Sequence, residues 1–136
     1  MKKIIIIPFL VMVLAFTGCQ STEKKVDPGI KGKVTKISAE DAKIKMDEDK
    51  SIILVDVRTK DEYNEEHIEN AVLLTLDTLN AMAPSVIPDK NATYFVYCKS
   101  GNRSAVAASE LVIIGYMNIY DMGGIQDWPY GTIKGN

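Results

Sequence analysis

The sequence has little of what metal and disulfide chemistry require. Among its 136 residues there are two cysteines, Cys19 and Cys98, and one histidine, His67. One histidine and one free thiol are too few strong ligands for a zinc site. If Cys19 is modified, Cys98 is the only thiol left, so the chain forms no internal disulfide and cannot resolve an oxidised Cys98 by itself. We therefore expect no metal and no cofactor, and a reaction at Cys98 needs an external thiol or another small acceptor.

Arginine and long apolar runs are also scarce. The chain has two arginines, Arg58 and Arg103, and its lysines form no basic stripe. The net charge is −2, and removal of residues 1–18 takes away two of the 16 basic residues, which leaves 14 against 18 acidic ones. This balance argues against nucleic acid as a partner. The longest apolar run, residues 4–16, is shorter than the ~20 residues that a membrane-spanning helix needs.

The first 18 residues have the pattern of a bacterial export signal. Two lysines precede the apolar run, and Thr17 and Gly18 stand directly before Cys19. Small residues in this place resemble the lipobox of bacterial lipoproteins, although Phe16 replaces the more usual leucine. The resemblance implies that Cys19 is acylated and anchors an exported protein to the cell membrane, with its domain on the extracytoplasmic side. The alternatives are a plain signal peptide cleaved elsewhere and an uncleaved anchor.

The segment after Cys19 has the composition of a tether. Residues 20–33 are polar and lysine-rich and lack apolar periodicity. A coil of this length spans on the order of 20 Å, enough to lift a small domain off a lipid surface. The sequence therefore predicts a lipoprotein signal peptide (1–18), a lipidated cysteine with its tether (19–33) and one folded domain (34–136).

Within the predicted domain, short apolar runs alternate with amphipathic ones. The runs that favour β-strands are residues 34–37, 52–57, 71–74, 93–97 and 118–121. The helix-end signals between them are the N-caps Ser38 and Thr59 and the stop residues Pro84, Pro88 and Gly115. This alternation predicts an α/β fold with a central parallel five-stranded sheet and helices on both faces. Such sheets bind ligands beyond the carboxyl ends of their strands, where Cys98 is expected.

One short stretch, residues 98–104 with the sequence CKSGNRS, carries the main chemical signal. A strand leads into Cys98 and a helix follows. Backbone N–H groups of the loop and the positive end of the helix are therefore expected to point towards the cysteine. A thiol in this place loses its proton easily, and the thiolate is the nucleophilic form. Arg103 adds a positive charge beside it. A cysteine that merely packs at the end of a core strand needs none of these polar neighbours.

This stretch resembles the active-site loop of the rhodanese family of sulfurtransferases, whose pattern is Cys-x-x-Gly-x-Arg-Ser/Thr. Further stretches occur in family order, at residues 52–58, 61–63, 67–71 and 123–128. The resemblance covers about residues 34–130 and implies the same parallel α/β fold. It also implies that Cys98 is the catalytic residue. The residues that would bind the substrate are Lys99, Ser100, Gly101, Asn102, Arg103 and Ser104.

Residues outside the loop have a supporting role in this interpretation. Asp56 and Arg58 follow the strongest predicted strand and should emerge at the same sheet edge as Cys98. We also expect Arg58 to pair with Glu62 across the turn. His67 would be an alternative means of activating Cys98. However, its surroundings resemble the family's Gly-His-Ile-Pro-Gly-Ala connection, a loop element in which this sequence replaces both glycines and the proline.

The resemblance implies sulfur transfer. Cys98 would take a sulfane sulfur from a small anionic donor such as thiosulfate or a persulfide, and a thiol or cyanide would accept it. Two alternatives remain open. Small cysteine phosphatases and arsenate reductases have a Cys-x₅-Arg loop, whereas here four residues separate Cys98 from Arg103. The other alternative is a non-catalytic domain that binds a sulfur species or docks a partner.

Overall fold

The computed structural model describes residues 28–135. The predicted signal peptide, the predicted lipidation site Cys19 and most of the predicted tether lie outside the described residues. Within residues 28–135, no helix is both long enough and apolar enough to span a membrane.

Five strands and four α-helices alternate along the described residues. The strands are β1 (Lys33–Lys36), β2 (Ile53–Asp56), β3 (Val72–Leu73), β4 (Thr93–Cys98) and β5 (Asn118–Gly124). The helices are α1 (Ala39–Glu48), α2 (Lys60–Glu65), α3 (Leu79–Val86) and α4 (Asn102–Ile113). Two short 3₁₀-helices lie at Leu76–Thr78 and Ile125–Asp127.

The strands form one parallel sheet in the order β1-β5-β4-β2-β3. Side chains of the central strand β4 alternate between its faces: Val96 and Cys98 pack in the core beneath α3 and α4, whereas Phe95 and Tyr97 pack in the core on the α1 side. Strands covered on both faces read as continuous apolar runs, as β2 and β4 do. The predicted α/β architecture, a parallel five-stranded sheet with helices, is confirmed.

Helix ends follow the local signals in the sequence. The Asp41 N–H donates to Ser38 Oγ at 3.1 Å, so Ser38 is the N-cap of α1. Thr59 and Glu62 form a reciprocal capping box at the start of α2. Gly115 follows α4 with a φ of +106°, a left-handed conformation that glycine adopts at low cost. These three predictions are confirmed.

Two element ends lie three residues beyond their predicted positions, whereas the ends of the other strands differ by no more than one residue. Pro84 was expected to close the third helix, but α3 continues through it to Val86. Pro84 lacks the N–H that would bond the carbonyl of Asn80. Because Asn80 is exposed, solvent can satisfy that carbonyl. The last strand extends three residues past Asp121, because a register shift against β4 between Val96 and Tyr97 carries β5 on to Gly124.

Candidate active site

Cys98 lies at the junction of β4 and α4, where the sheet meets a tight loop. It is the last residue of β4, and its side chain is almost fully buried at 1 % exposure. The Gly101 N–H donates a hydrogen bond to Cys98 Sγ at 3.0 Å. Gly101 has a φ of +102° and directly precedes α4. The backbone therefore turns back over the sulfur at the one position where glycine permits it.

The surroundings of Cys98 favour its ionised form. Burial by itself raises the pKa of the thiol. Hydrogen bonds from the Ser104 hydroxyl and from the N–H groups of Ser104, Gly101 and Ser100 outweigh this penalty, and the pKa is lowered from its ordinary value. The helix dipole of α4 acts in the same direction. The loop thus stabilises the thiolate through the Ser104 hydroxyl as well as through main-chain donors.

Gly124 gives the loop the space to fold against β5. A Cβ at this position would lie 2.1 Å from the carbonyl oxygen of Lys99 and 2.8 Å from Cα of Ser100. The same Lys99 carbonyl accepts a hydrogen bond from the Gln126 N–H at 3.3 Å. Any side chain at Gly124 would push the loop away from the strand. The contact of Gly124 with the loop was not predicted from the sequence.

Ser104 holds the loop from its other end. The side chain is fully buried, and its hydroxyl donates to Asp121 Oδ1 at 2.7 Å. Carbonyl oxygens of Gly101, at 3.1 Å, and Gly123, at 3.3 Å, are further acceptors within reach. Sequence reasoning missed Asp121. The available signal was its position as an acidic residue at the carboxyl end of a parallel strand, which is the same edge that carries Cys98.

Arg103 pairs with Glu62 of α2. Its Nη1 lies 2.7 Å from Oε2, and its Nη2 lies 2.8 Å from Oε1. The Arg103 hydrogen bonds lower the pKa of Glu62 to about 2, and Glu62 in turn raises the pKa of Arg103. The prediction that Arg58 pairs with Glu62 was wrong. Arg58 is held instead by the carboxylate two residues before it.

A buried ion pair occupies the end of β2 next to the site. Arg58 donates from Nε and Nη2 to Asp56, with 2.7 Å between Nη2 and Oδ2. The Tyr97 hydroxyl donates to the same Oδ2 at 2.8 Å. Arg58 Nη2 also donates to the carbonyl of Glu66 at 2.7 Å. Asp56 and Arg58 thus share the sheet edge with Cys98, and their hydrogen bonds anchor the strand ends beneath the loop.

His67 is engaged in structural contacts away from the sulfur. Its ring stacks on Tyr63 with 3.7 Å between centroids, and its Nδ1 lies 2.8 Å from the Tyr63 carbonyl oxygen. Its main chain exchanges two 2.8 Å hydrogen bonds with Ile133. This geometry favours the loop element over the general base.

The remaining predicted site residues lie at the entrance. Lys99, Ser100 and Asn102 are exposed on the loop above the sulfur. Among residues 28–135 there is no group of three or more histidine, cysteine or acidic side chains placed to hold a metal ion. The site therefore offers a nucleophilic sulfur, main-chain donors and an exposed ammonium at its mouth.

A parallel α/β domain with an acidified thiol at a strand-to-helix loop is built for nucleophilic thiol chemistry. The family model for the rhodanese-like domain matches residues 38–129 of this chain. The chain therefore belongs to the rhodanese-like domain family.

Individual relatives agree with this assignment. The chain is 33% identical over 81 residues to the thiosulfate sulfurtransferase PspE of Escherichia coli (strain K12), covering 60% of this chain and 78% of that protein. It is 36% identical over 80 residues to the thiosulfate sulfurtransferase GlpE of Coxiella burnetii (strain RSA 331), covering 58% and 73%. A solved rhodanese-like domain protein from Staphylococcus aureus superposes with a TM-score of 0.67 and 31% identity, covering 75% of this chain and 99% of that one. A solved E. coli structure described as rhodanese with anions superposes with a TM-score of 0.58 and 32% identity, covering 62% and 99%.

Proposed function

We propose that this protein is a sulfurtransferase that carries a sulfane sulfur on Cys98 as a persulfide. The observation that carries the proposal is the 3.0 Å hydrogen bond from the Gly101 N–H to Cys98 Sγ at the start of α4. The two relatives named thiosulfate sulfurtransferase and the E. coli rhodanese described with anions support a small anionic sulfur donor.

The first half-reaction loads the sulfur. The Cys98 thiolate attacks the outer sulfur of thiosulfate, a bond forms between Sγ and that sulfur, and the S–S bond of thiosulfate breaks. Sulfite leaves with the electron pair of the broken bond. The transferred sulfur already has the oxidation level of a persulfide, so the step needs no oxidant. A small-molecule persulfide can replace thiosulfate as the donor, with its thiolate as the leaving group.

The second half-reaction unloads the sulfur. A thiol, as its thiolate, or cyanide attacks the outer sulfur of the Cys98 persulfide, and the Cys98 thiolate leaves with the electron pair. Because Cys98 is the only thiol among residues 28–135, the acceptor comes from outside the domain. The leaving thiolate is a good one, since its pKa is lowered by the loop.

The loop residues have distinct roles in this scheme. The N–H groups of Ser100, Gly101 and Ser104 stabilise negative charge on the sulfur without adding a proton. The exposed ammonium of Lys99 attracts the anionic donor to the mouth of the site. Asn102 exposes its amide at the same mouth, where it can donate to donor oxygens.

A phosphatase or arsenate reductase is a weaker proposal for this site. Four residues separate Cys98 from Arg103, and two Arg103 donors are already taken by Glu62. The loop carbonyl of Lys99 lies against Gly124, which leaves little space for the loop to widen. Assay of an aryl phosphate and of arsenate beside thiosulfate tests this alternative directly, and phosphate hydrolysis that depends on Cys98 would support it.

The decisive test is the mass of the protein after incubation with thiosulfate. We expect one added sulfur atom on Cys98, its loss on treatment with cyanide, and thiocyanate as product. Cys98→Ser is the matched control and should show neither adduct nor product. Thiocyanate formation at equal rates in both forms would contradict the catalytic proposal and favour the domain that only binds a sulfur species.

We further propose that the domain acts outside the cytoplasm, anchored to the cell membrane by lipid on Cys19. The supporting observation is the apolar run followed by Thr17, Gly18 and Cys19 in the sequence. Several acyl chains, each contributing about 0.8 kcal/mol per buried CH₂, give stable attachment. Mass spectrometry of membrane-extracted native protein should find an acylated N-terminal Cys19. Cys19→Ser should move the protein to the soluble fraction, and an unmodified Cys19 in the native protein would contradict the anchor.

A further inference from the structure

The chain enters the domain at the edge of the sheet that lies opposite the active site. In this parallel sheet all strands start at one edge, here called the amino edge, and Cys98 lies at the other, where β4 ends. The six residues of β4 separate the two edges by about 17 Å. The Lys33 N–H at the start of β1 donates to the carbonyl of Met117 at 3.2 Å, so the chain is fixed to the amino edge where β1 begins.

Three exposed lysines lie together at the amino edge. The Met117 N–H donates to the carbonyl of Lys90 at 3.0 Å, which places Lys90 two backbone hydrogen bonds away from Lys33. Lys31 lies two residues before Lys33 and is exposed, as the other two lysines are. None of the three pairs with an acidic side chain within residues 28–135. Their ammonium groups are therefore available to a negatively charged partner.

An exposed apolar side chain lies beside these lysines. Lys90 Nζ donates to the carbonyl of Ile114 at 2.7 Å, just past the end of α4. The preceding residue, Ile113, is 64% exposed, more than any other large apolar side chain among the described residues. Lysines around an exposed apolar residue are typical of a surface that contacts lipid, since the ammonium groups meet anionic headgroups and the apolar side chain enters the boundary with the acyl chains. We call Lys31, Lys33, Lys90 and Ile113 the attachment end.

The charge of the chain after Cys19 is divided along its length. Residues 20–33 contain four lysines and two acidic residues, whereas residues 34–136 contain ten basic and sixteen acidic ones. Two acidic residues adjoin the attachment end, Asp89 and Glu110, so its three lysines still leave a net positive charge. An anionic surface therefore attracts the attachment end and repels the rest of the domain.

We propose that the attachment end rests on the anionic lipid surface of the membrane, with the Cys98 loop facing away from the bilayer. The inference rests on the proposed anchor at Cys19 and goes beyond it, because it assigns one face of the domain to the membrane. Eight residues lie between Cys19 and Pro28, so whatever their conformation they hold Pro28 within about 32 Å of the lipid. Sulfur donors and acceptors then reach Cys98 from the aqueous phase and not from within the bilayer.

The test is lysine labelling of the native acylated protein reconstituted in vesicles. One set of vesicles contains phosphatidylcholine alone, and the other contains equal parts of phosphatidylcholine and phosphatidylglycerol. Acetylation by N-hydroxysuccinimidyl acetate is followed at each lysine by mass spectrometry. We expect Lys31, Lys33 and Lys90 to react about fivefold more slowly on the anionic vesicles, a factor that corresponds to about 1 kcal/mol per lysine at an anionic surface. Lys60 and Lys99, exposed elsewhere on the domain, should react equally on both.

The outcomes that would overturn the proposal are equally direct. Slower labelling of Lys99 on the anionic vesicles would mean that the Cys98 loop faces the bilayer. Equal rates at every lysine on both vesicles would mean that the attachment end does not contact anionic lipid. Protection of the attachment end to the same extent on neutral vesicles would assign it to another partner, such as a second copy of the chain.

Paired lysine variants separate the surface from a general effect of charge. Lys31→Gln combined with Lys33→Gln should abolish the protection of Lys90, because most of the positive charge of the attachment end is lost. Lys45→Gln combined with Lys60→Gln removes the same charge from exposed positions on α1 and α2 and should leave that protection unchanged. Equal effects of the two pairs would contradict a specific face.

A second pair tests the apolar contact. Ile113→Gln should reduce the protection of the three lysines, because the side chain no longer enters the lipid boundary. Val106→Gln is the matched control, since Val106 is 49% exposed on the same helix but lies near its other end. Circular dichroism and thermal unfolding check that each variant folds. Loss of protection in both variants, or in neither, would contradict the role of Ile113.

The anchor and the lipid-facing surface are tested independently. The mass of the same native sample reports acylation of Cys19, and an unmodified Cys19 would refute the anchor. Residues 20–136 with a hexahistidine tag, bound to nickel-chelating lipid in the same two kinds of vesicle, then replace the anchor, and circular dichroism checks that this form folds. Protection of the three lysines there would uphold the surface without the anchor, and no protection in either form would overturn it. The thiosulfate assay affects neither conclusion.

Discussion

Arg103 of the active-site loop and Glu62 of α2 are joined by two parallel hydrogen bonds of 2.7 and 2.8 Å. The same Glu62 carboxylate accepts the Thr59 N–H at 2.9 Å and thereby closes the capping box of its helix. One carboxylate thus ties the first turn of α4 to the first turn of α2. The loop that holds Cys98 is fixed from outside by this contact, and the charge of Arg103 is largely balanced.

We expect Glu62→Gln to loosen the loop. The change removes the charge of the pair and weakens the capping box, and since both side chains are partly exposed the ion pair contributes on the order of 1 kcal/mol or less. The melting temperature should fall by several degrees, and the unpaired charge of Arg103 should lower the pKa of the Cys98 thiol further. Thermal unfolding and alkylation kinetics measure the two effects. Glu65→Gln, an exposed residue of the same helix, is the matched control and should change neither.

The Glu62–Arg103 pair also predicts that the free energy of unfolding decreases in acid. The pKa of Glu62 in the fold is about 2, below its ordinary value of 4.5. The pair therefore stabilises the fold fully above about pH 4.5, and this contribution is lost as the pH falls towards 2. Denaturant unfolding across this range should show a smaller acid loss in Glu62→Gln than in the wild type. Parallel curves for the two proteins would contradict the assigned pair.

The burial of Cys98 predicts that small thiol reagents react with it faster than bulky ones. The residue is 1 % exposed, so a reagent must displace or pass the surrounding loop residues to reach Sγ. A small reagent such as iodoacetamide should react far faster, relative to its rate with the unfolded chain, than a bulky aryl maleimide. Measurement of both ratios in native and denatured protein gives the result. Equal ratios for the two reagents would mean that the loop opens freely.

Several features of the fold follow from the sequence, whereas parts of the site depend on contacts between residues that are far apart in the chain. The caps at Ser38 and Thr59 and the stop at Gly115 involve neighbours within a few residues, so local chemistry specifies them. The partner of Glu62 lies 41 residues away in the chain. Arg58 and Arg103 both lie at the same edge of the sheet. The prediction chose Arg58 as the partner of Glu62 because it is the closer of the two in the sequence.

The missed role of Asp121 has a similar cause. Its hydrogen bond to Ser104 joins residues 17 apart in the chain, and Asp121 lies directly before the point where β5 shifts its register against β4. No local pattern reports such a shift. The strand was predicted to stop at Asp121, which hid the fact that β5 continues to Gly124 and supports the loop.

Gly124→Ala should disrupt the loop more than Gly123→Ala. A Cβ on Gly124 would lie 2.1 Å from the Lys99 carbonyl oxygen, a backbone atom that cannot yield without moving the loop. Gly123 has open space around its Cβ position but a φ of +80°, so alanine there costs only backbone strain of about 1 kcal/mol. We expect Gly124→Ala to raise the thiol pKa and to destabilise the fold. Gly123→Ala is the matched control, with a smaller loss of stability, and equal effects would refute the steric argument.

The buried network at the end of β2 predicts a graded series of losses. Tyr97→Phe removes the hydroxyl that donates to Asp56 and accepts the Ile68 N–H at 3.2 Å, and should cost about 1–3 kcal/mol of unfolding free energy, while Asp56 keeps Arg58. Arg58→Met removes the partner of a carboxylate that is fully buried, and should cost about 3–5 kcal/mol because an uncompensated charge remains. Asp56→Asn combined with Arg58→Met should recover part of that loss, since no charge is then left unpaired. Tyr94→Phe, on the same strand, removes a hydroxyl that donates to the Asp89 carbonyl, and serves as the control away from the ion pair. Urea unfolding measures all four, and an Arg58→Met protein no less stable than Tyr97→Phe would contradict the buried ion pair.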